Sequence, residues 1–409
     1  MLKRHWLPAI CLFAALASPA AAGELDVLLE RLLAGGNISA EDAALVRRAG
    51  ADNPAPLSRL KVSGLMRLRY QYSDNRSLPY ARSRGRFKLR GEAELGVSEA
   101  VSLGLALASG SSDDPRSSNQ SFGDNASKKD IYIDRAFARA GAGRAAAYAG
   151  RMKNPLWVVG DMLWDSDVAI EGFCAGIEPS SSAGASFFGT AGLSVLEESA
   201  SDPSDPYLLF VQQGLSYRSG GSGLAFKAAA ALYSFSGVKG SAPLPHRPSA
   251  ASGYLQANTL SGGVYKYDYD AAALDLEASW RLTALPPPLP GAARPDFAGA
   301  FAEFVKSLGH SRNSGGWTAG LRTGSRDPGC YGCWQLKAGL RRLERDAWPD
   351  TLPDSDFYGG STGTEGSETQ LTAGLGYGIS AQLGYYDVRP IGAPSRRESL
   401  FQADLTFRF

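Results

Sequence analysis

From Leu60 to the last residue, apolar and polar side chains exchange places at every second position in one segment after another. In "LKVSGLMRLRYQY", Val62, Met66, Leu68, Tyr70 and Tyr72 share one parity, while Lys61, Ser63, Arg67, Arg69 and Gln71 mostly fill the other. The next segment sets Phe87, Leu89, Ala93, Leu95 and Val97 against Arg86, Lys88, Arg90, Glu92 and Glu94. A period of two is the mark of a strand with one greasy side and one wet side. The closing run repeats it, with Phe401, Ala403, Leu405, Phe407 and Phe409 against Gln402, Asp404, Thr406 and Arg408.

Two such strands would also suit a soluble sandwich whose polar face meets water, so their number and spacing matter. The alternation and the turn residues between runs predict strands over 60–73, 84–97, 101–109, 130–140, 144–151, 168–178, 183–195, 207–218, 224–235, 264–284, 298–308, 316–324, 333–345, 367–377, 379–388 and 399–409. That makes about sixteen, an even number, which closure with both termini on one side requires. Short connections such as "SEA" (98–100), "GAG" (141–143) and "GGSG" (220–223) alternate with long polar ones such as 110–129 and 346–366. The expected fold is an all-β transmembrane antiparallel barrel, with short turns at one end and long loops at the other. Lipid tolerates no open sheet edge, so the last strand must pair with the first.

Three places fit badly. In 130–140, Arg135 and Arg139 share a parity with Ile131, Ile133 and Phe137; 264–284 is long for one strand; and "LPPPLPGAARPDF" is long for a turn. Splitting 264–284 would break the alternation of connections, so it is kept as one strand.

The chain opens with Lys3 and Arg4, an apolar stretch from Leu7 to Leu16, and small residues 20–22 before Gly23, the pattern of a cleavable secretory signal over 1–22. Cys11 would be lost with it. Beyond the signal no run approaches the ~18 consecutive apolar residues of a spanning helix. Losing Lys3 and Arg4 leaves 40 basic against 41 acidic residues, a net charge of −1, so nothing points to nucleic acid. In 23–57, Leu25, Leu28, Leu29, Leu32 and Leu33 recur at helical spacing, and Ser39 with Asp42 resembles a capping box. The reading is a periplasmic helical segment, a plug or spacer or an element for oligomerisation or cell-wall contact, ahead of a barrel over 58–409.

"SGSSDDPRSSNQSFGD" (109–124), "GRMKNPLW" (150–157), "LWDSDVAIEGF" (163–173) and "TLPDSDF" (351–357) resemble the bacterial "putative porin" family, over most of the chain. The resemblance implies an outer-membrane β-barrel and a diffusion channel for small hydrophilic solutes; it carries no particular solute. The terminal Phe409 resembles the C-terminal signal that barrel-assembly machinery reads. The third long loop, 152–167, is the one that folds inward in sixteen-stranded general porins. By that likeness Asp161, Asp165 and Asp167 would enter the lumen, with Trp157, Met162 and Trp164 against the inner wall. Arg67, Arg69, Arg86, Lys88 and Arg90 form a basic ladder on the facing wall, and acidic loop against basic wall would set a transverse field. The plainer alternative is that these aspartates cap turns or pair with Lys153 and that the arginines are solvated lumen residues.

Cys330 and Cys333 share a turn in "CYGC", where they form a local disulfide, two idle thiols, or a metal or redox pair. Cys174, on the parity of Val168 and Ile170, reads as a small lipid-facing residue. After the signal, His246 and His310 are the histidines available as bases, both in loops, so an outer-membrane hydrolase is the weaker alternative. Asp113, Asp114 and Asp124 could hold calcium, but their spacing matches no defined loop and favours turn capping. No cofactor or metal is expected. The partners are outer-membrane lipid, assembly machinery and small solutes, with a homotrimer as a candidate assembly. A non-conducting scaffold or adhesin would need a bulky plug, for which the N-terminal segment looks too short.

Overall fold

The computed structural model describes residues 59–409 apart from 112–113, 199–204, 222, 249–252, 255–256 and 284, together with Ala34, residues 39–42 and Ala44. The expected signal and most of the helical segment, including Leu25 to Leu33, lie outside the described residues. Ser39 and Asp42 hydrogen-bond reciprocally: the Asp42 amide donates to Ser39 Oγ at 3.0 Å, and the Ser39 amide to Asp42 Oδ2 at 3.1 Å. These bonds hold the Asp42 carboxyl below its ordinary range.

Sixteen long strands follow: β1 (Leu60–Asn75), β2 (Arg82–Gly96), β3 (Val101–Ser109), β4 (Ile131–Ala142), β5 (Ala145–Lys153), β6 (Ala169–Ile177), β7 (Gly184–Val195) and β8 (Tyr207–Arg218), then β9 (Ala225–Ser236), β10 (Ala271–Arg281), β11 (Phe297–Ser307), β12 (Gly315–Gly324), β13 (Trp334–Leu343), β14 (Thr364–Gly376), β15 (Ile379–Pro390) and β16 (Glu398–Arg408). Each pairs antiparallel with its sequence neighbours, and β1 closes on β16 from Leu65↔Arg408 to Asn75↔Glu398. The sheet therefore has no free edge, as a lipid setting demands.

Exposure follows the two-residue period. On β1, Tyr70 is 49% exposed while its neighbours Arg69 and Gln71 are each 5% exposed, so the apolar parity faces outward and the polar parity faces the lumen. The closure carries a specific fit. Gly64 and Phe409 exchange backbone hydrogen bonds at 2.8 and 3.1 Å, and the Phe409 ring lies where a Gly64 side chain would stand, 2.2 Å from an added Cβ. At the β14–β15 hairpin, Tyr377 and Gly378 both have positive φ, 52° and 75°, the turn that matches the twist of two antiparallel strands.

Two of the awkward segments resolve physically. In β4 the register with β3 slips between Ala106 and Leu107, so that Arg135 faces Ala106 and Ile133 faces Leu107, with Asp134 as the extra residue. This β-bulge switches parity. Ile131 and Ile133 are exposed on the outside, whereas Asp134 and Arg135 turn inward to ion pairs. The segment 264–284 is not one strand: its barrel part is β10, and Val264–Tyr265 pairs instead with Leu260–Ser261 in a small hairpin within the preceding loop. The long connection 282–296 stays at the short-turn end, tied to the next turn by Ala293, whose amide donates to Gly332 O at 2.8 Å and whose carbonyl accepts Trp334 Nε1 at 3.0 Å.

Candidate functional site

The strand register builds the basic wall. Arg67 stands directly opposite Lys88 and Arg69 opposite Arg86, all on the inward parity, with Asp404 of β16 beside Arg69. Like charges set opposite each other repel, so the arrangement needs counter-charge. Arg69 receives it from Asp404 at 2.7 Å and Asp356 at 2.8 Å. Lys88 meets Asp167 at 2.5 Å, and Arg90 meets Asp134 at 3.2 Å and Asp167 at 3.3 Å. Arg67 bonds Asn119 Oδ1 at 2.9 Å and lies 3.6 Å from Asp404. Arg86 has only neutral acceptors among the described residues: Gln71 Oε1 at 3.2 Å, and Ser117 Oγ and the Asn119 carbonyl at 3.4 Å.

The third loop, residues 154–168 between β5 and β6, takes its partners from inward-facing wall residues. Asn154 starts it with an Asx turn, its Oδ1 accepting the Leu156 amide at 3.0 Å. Gln212 of β8 holds both the amide and the carbonyl of Trp157, at 2.9 and 2.8 Å. Asp275 of β10 accepts the Val159 amide at 3.1 Å, and Arg341 of β13 donates to the Met162 carbonyl at 3.1 Å. Met162, Leu163 and Trp164 are buried, and Trp157 packs edge-on to Phe188 at 6.0 Å beneath Lys227.

The three aspartates have different surroundings. Asp161 is partly exposed, 3.9 Å from Arg341. Asp165 is 6% exposed, and its carboxylate accepts the amides of Asp167 at 2.8 Å and Ser355 at 2.9 Å, so it braces two loops. Burial, and then the charge of Asp167, push its carboxyl up to about 8. Asp167 faces the same burial, but Lys88 and Arg90 outweigh it and hold its carboxyl below the usual range. Its cations come from β2, not from Lys153.

A second loop, residues 344–363 between β13 and β14, takes part equally. Trp348 is fully buried. Its indole donates to Leu163 O at 2.7 Å, and its ring meets Trp164, Tyr233 and Phe235 edge-on at 5.6, 4.7 and 5.2 Å. The 237–270 loop clasps it: Asp350 takes Arg247 at 2.7 Å and the Asn258 amide at 2.8 Å. An apolar core thus stands inside the barrel against β8 and β9. One signal was legible. In "YLLFV" (207–211) and "ALYSF" (231–235) alternation gives way to nearly continuous apolar residues, the pattern of strands covered on both faces.

The same loop brings Asp354 and Asp356 to the basic wall. Burial, then Asp161 and Asp356, raise the Asp354 carboxyl well above its ordinary value. Asp356 is held below its own because Arg69 outweighs burial. Between loops and wall lies a cavity of about 140 Å³. Arg67, Arg69 and Lys88 line one side of it, Asp161, Asp165 and Asp354 another, and Gln370, Gln382 and Gln402 the wall between.

The remaining candidates stand apart. Cys174 is not lipid-facing: it is 0% exposed, with its Sγ 3.5 Å from Met152 Sδ, because the inner wall here is apolar under the third loop and Phe173 takes the outward parity. Cys330 and Cys333 are joined in a disulfide with Cα atoms 5.3 Å apart. Asp114 Oδ1 caps the Arg116 amide at 3.1 Å, and Asp113 lies outside the described residues. The carbonyl of His246 accepts Arg116 at 3.1 Å; His310 stacks on Tyr267 and touches Ser307 Oγ, itself buried, at 3.2 Å.

A family described as "putative porin" matches residues 74–261 and 264–409. No curated protein matches the sequence. Among solved structures, OprB of Pseudomonas putida is similar at 12% identity and a TM-score of 0.54, covering 89% of this chain and 96% of its own. A loop-deletion mutant of OmpT, an outer membrane protein of Vibrio cholerae, is 11% identical with a TM-score of 0.45, covering 86% of this chain and 99% of its own. OccK8 (OprE) of Pseudomonas aeruginosa gives 12% and 0.45, covering 86% and 98%.

Proposed function

Because this chain belongs to the putative porin family, an outer-membrane setting follows, and we propose that it is a channel for passive diffusion of small hydrophilic solutes, narrowed by the third loop and by loop 344–363. The observation that carries this reading is the cavity between the acidic loops and the basic wall, lined by polar inward-facing residues of β1, β2 and β14 to β16. Charges facing each other across a narrow gap between low-dielectric walls act on a passing ion with little screening. The lumen-facing Arg67, Arg69, Arg86, Lys88 and Arg90 set one pole of the transverse field, and Asp161 and Asp167 the other. Asp165 serves as a brace between loops.

Export by the 1–22 signal, insertion with Phe409 as the terminal assembly residue, and a periplasmic role for 23–57 belong to the same reading. Its outer face supports association with further copies, as in a homotrimer: Ala140, Ala147, Ala175, Ala191 and Ala228 leave a shallow hollow on the outside of β4 to β9. The Ser307 hydroxyl beside His310 is buried, so this pair offers no exposed nucleophile for the hydrolase alternative.

Single-channel recording of the refolded protein in a planar bilayer, with the reversal potential under a salt gradient, tests the proposal. Stable open steps with an ion preference are expected. A tight bilayer holding correctly folded protein would reject the open channel and favour a scaffold.

A further inference from the structure

The cations of the basic wall differ in their partners. Arg69, Lys88 and Arg90 are each matched by carboxylates within 3.3 Å. Arg86, opposite the matched Arg69, and Arg84, one step nearer the long-loop end, lack such a match. Arg84 stands opposite Gln71, which in turn stands opposite Gln402. Among the described residues Arg84 makes no ion pair and no hydrogen bond, and Arg86, two residues along on the same face, has neutral acceptors alone. Among the described residues the Nε atoms of Arg84, Arg86 and Arg67 are buried without a hydrogen-bond partner, as is that of Arg90, whose guanidinium meets carboxylates. The carboxylates nearby are engaged elsewhere: Asp356 with Arg69, Asp404 with Arg69 and Arg67, and Glu398 with the Tyr254 hydroxyl at 3.0 Å.

A buried N–H of a charged group left without an acceptor is costly, and a guanidinium offers five donors in a planar fork that matches a carboxylate. Resting on the channel reading above, we propose that Arg84 and Arg86, with Arg67 below them, form a binding site at the long-loop entrance for the carboxylate group of small organic monoanions. A single negative charge suits the position. Asp356 and Asp404 beside the site, and Asp167 one step deeper, repel a second charge, while the matched cations let a monoanion pass. The site makes permeation saturable for carboxylates and keeps the anion on the basic side of the cavity.

The test is single-channel conductance against salt concentration in potassium acetate and in potassium phosphate, for wild type, Arg84→Gln with Arg86→Gln, and Arg84→Lys with Arg86→Lys. Folding is checked by heat-modifiable gel mobility, with Arg389→Gln, on the outer face, as a control that leaves conductance unchanged. Wild type saturates in acetate. The glutamine pair loses saturation, and the lysine pair keeps anion preference while its half-saturating concentration rises roughly tenfold, the loss of one charge-assisted hydrogen bond.

A linear acetate curve for wild type, or an unchanged half-saturation in the glutamine pair, overturns the site. Tighter saturation by phosphate than by acetate overturns the carboxylate assignment. Saturation-transfer NMR of the acetate methyl with refolded protein separates the two readings: binding lost in the glutamine pair upholds the site even if no channel opens, and no binding to wild type overturns it.

Discussion

Asp165 and Asp167 are two residues apart yet carry opposite consequences. The Asp165 carboxyl, pushed up to about 8 from an unfolded value near 4, binds a proton in the folded state that the unfolded chain releases between those limits. Its contribution is therefore most favourable at low pH and is lost as pH rises toward 8. Limited proteolysis of loop 344–363 should quicken between pH 5 and 9 in wild type and change far less in Asp165→Asn, which keeps an acceptor and loses the titration. Asp167 behaves in the reverse sense, staying ionised against Lys88 and Arg90. Replacing Asp161, Asp165 and Asp167 by Asn should raise anion preference, chiefly through Asp167 and Asp161, whereas Arg67→Ala with Arg86→Ala should lower it. Reversal potentials at low salt, where the screening length exceeds about 10 Å, read both; unchanged values in both variants would remove the constriction.

At the scale of the strand, one residue decides which face looks inward. Asp134 is the extra residue of the β4 bulge, and deleting it would restore plain alternation. Either Ile131 and Ile133 would then face water or Arg135 and Arg139 would face lipid. The deletion is expected to abolish the heat-modifiable folded band on gels, while Asp134→Asn, which keeps the bulge, retains it. The closing pair tests the other end of the barrel. Gly64→Val must displace the Phe409 ring, an overpacking that costs about 1–3 kcal/mol. Its urea midpoint should fall, and a Gly64→Val, Phe409→Ala double variant should recover part of the loss.

The whole molecule is a closed wall with a second core inside it. The loop core of Trp348, Trp164, Tyr233 and Phe235 packs against β8 and β9, and the cavity lies on the side of β1, β2 and β14 to β16, where the proposed channel would run. Trp348→Ala removes the side chain that joins the two loops, at a cost of about 3–5 kcal/mol. It should raise single-channel conductance and open-channel noise while the barrel stays closed, because the β1–β16 pairing does not depend on it. Unchanged conductance in a folded variant would show that the inner core does not limit flow.

Strand number, closure and the inward placement of the five cations were legible in the sequence, because a period of two in lipid leaves each side chain one of two faces and a barrel cannot keep an edge. Lys88 and Arg90 could be placed on the wall, but their partner could not: Asp167 lies 79 and 77 residues from them, across a loop that no periodicity describes. The bulge at Asp134 showed only as a clash of parity, and the inner core only as lapses of alternation at 207–211 and 231–235. Loop conformation rests on contacts between segments distant in the chain, Trp348 with Leu163 and Ser355 with Asp165, so only the assembled barrel decides which charges are neutralised and which keep neutral partners alone.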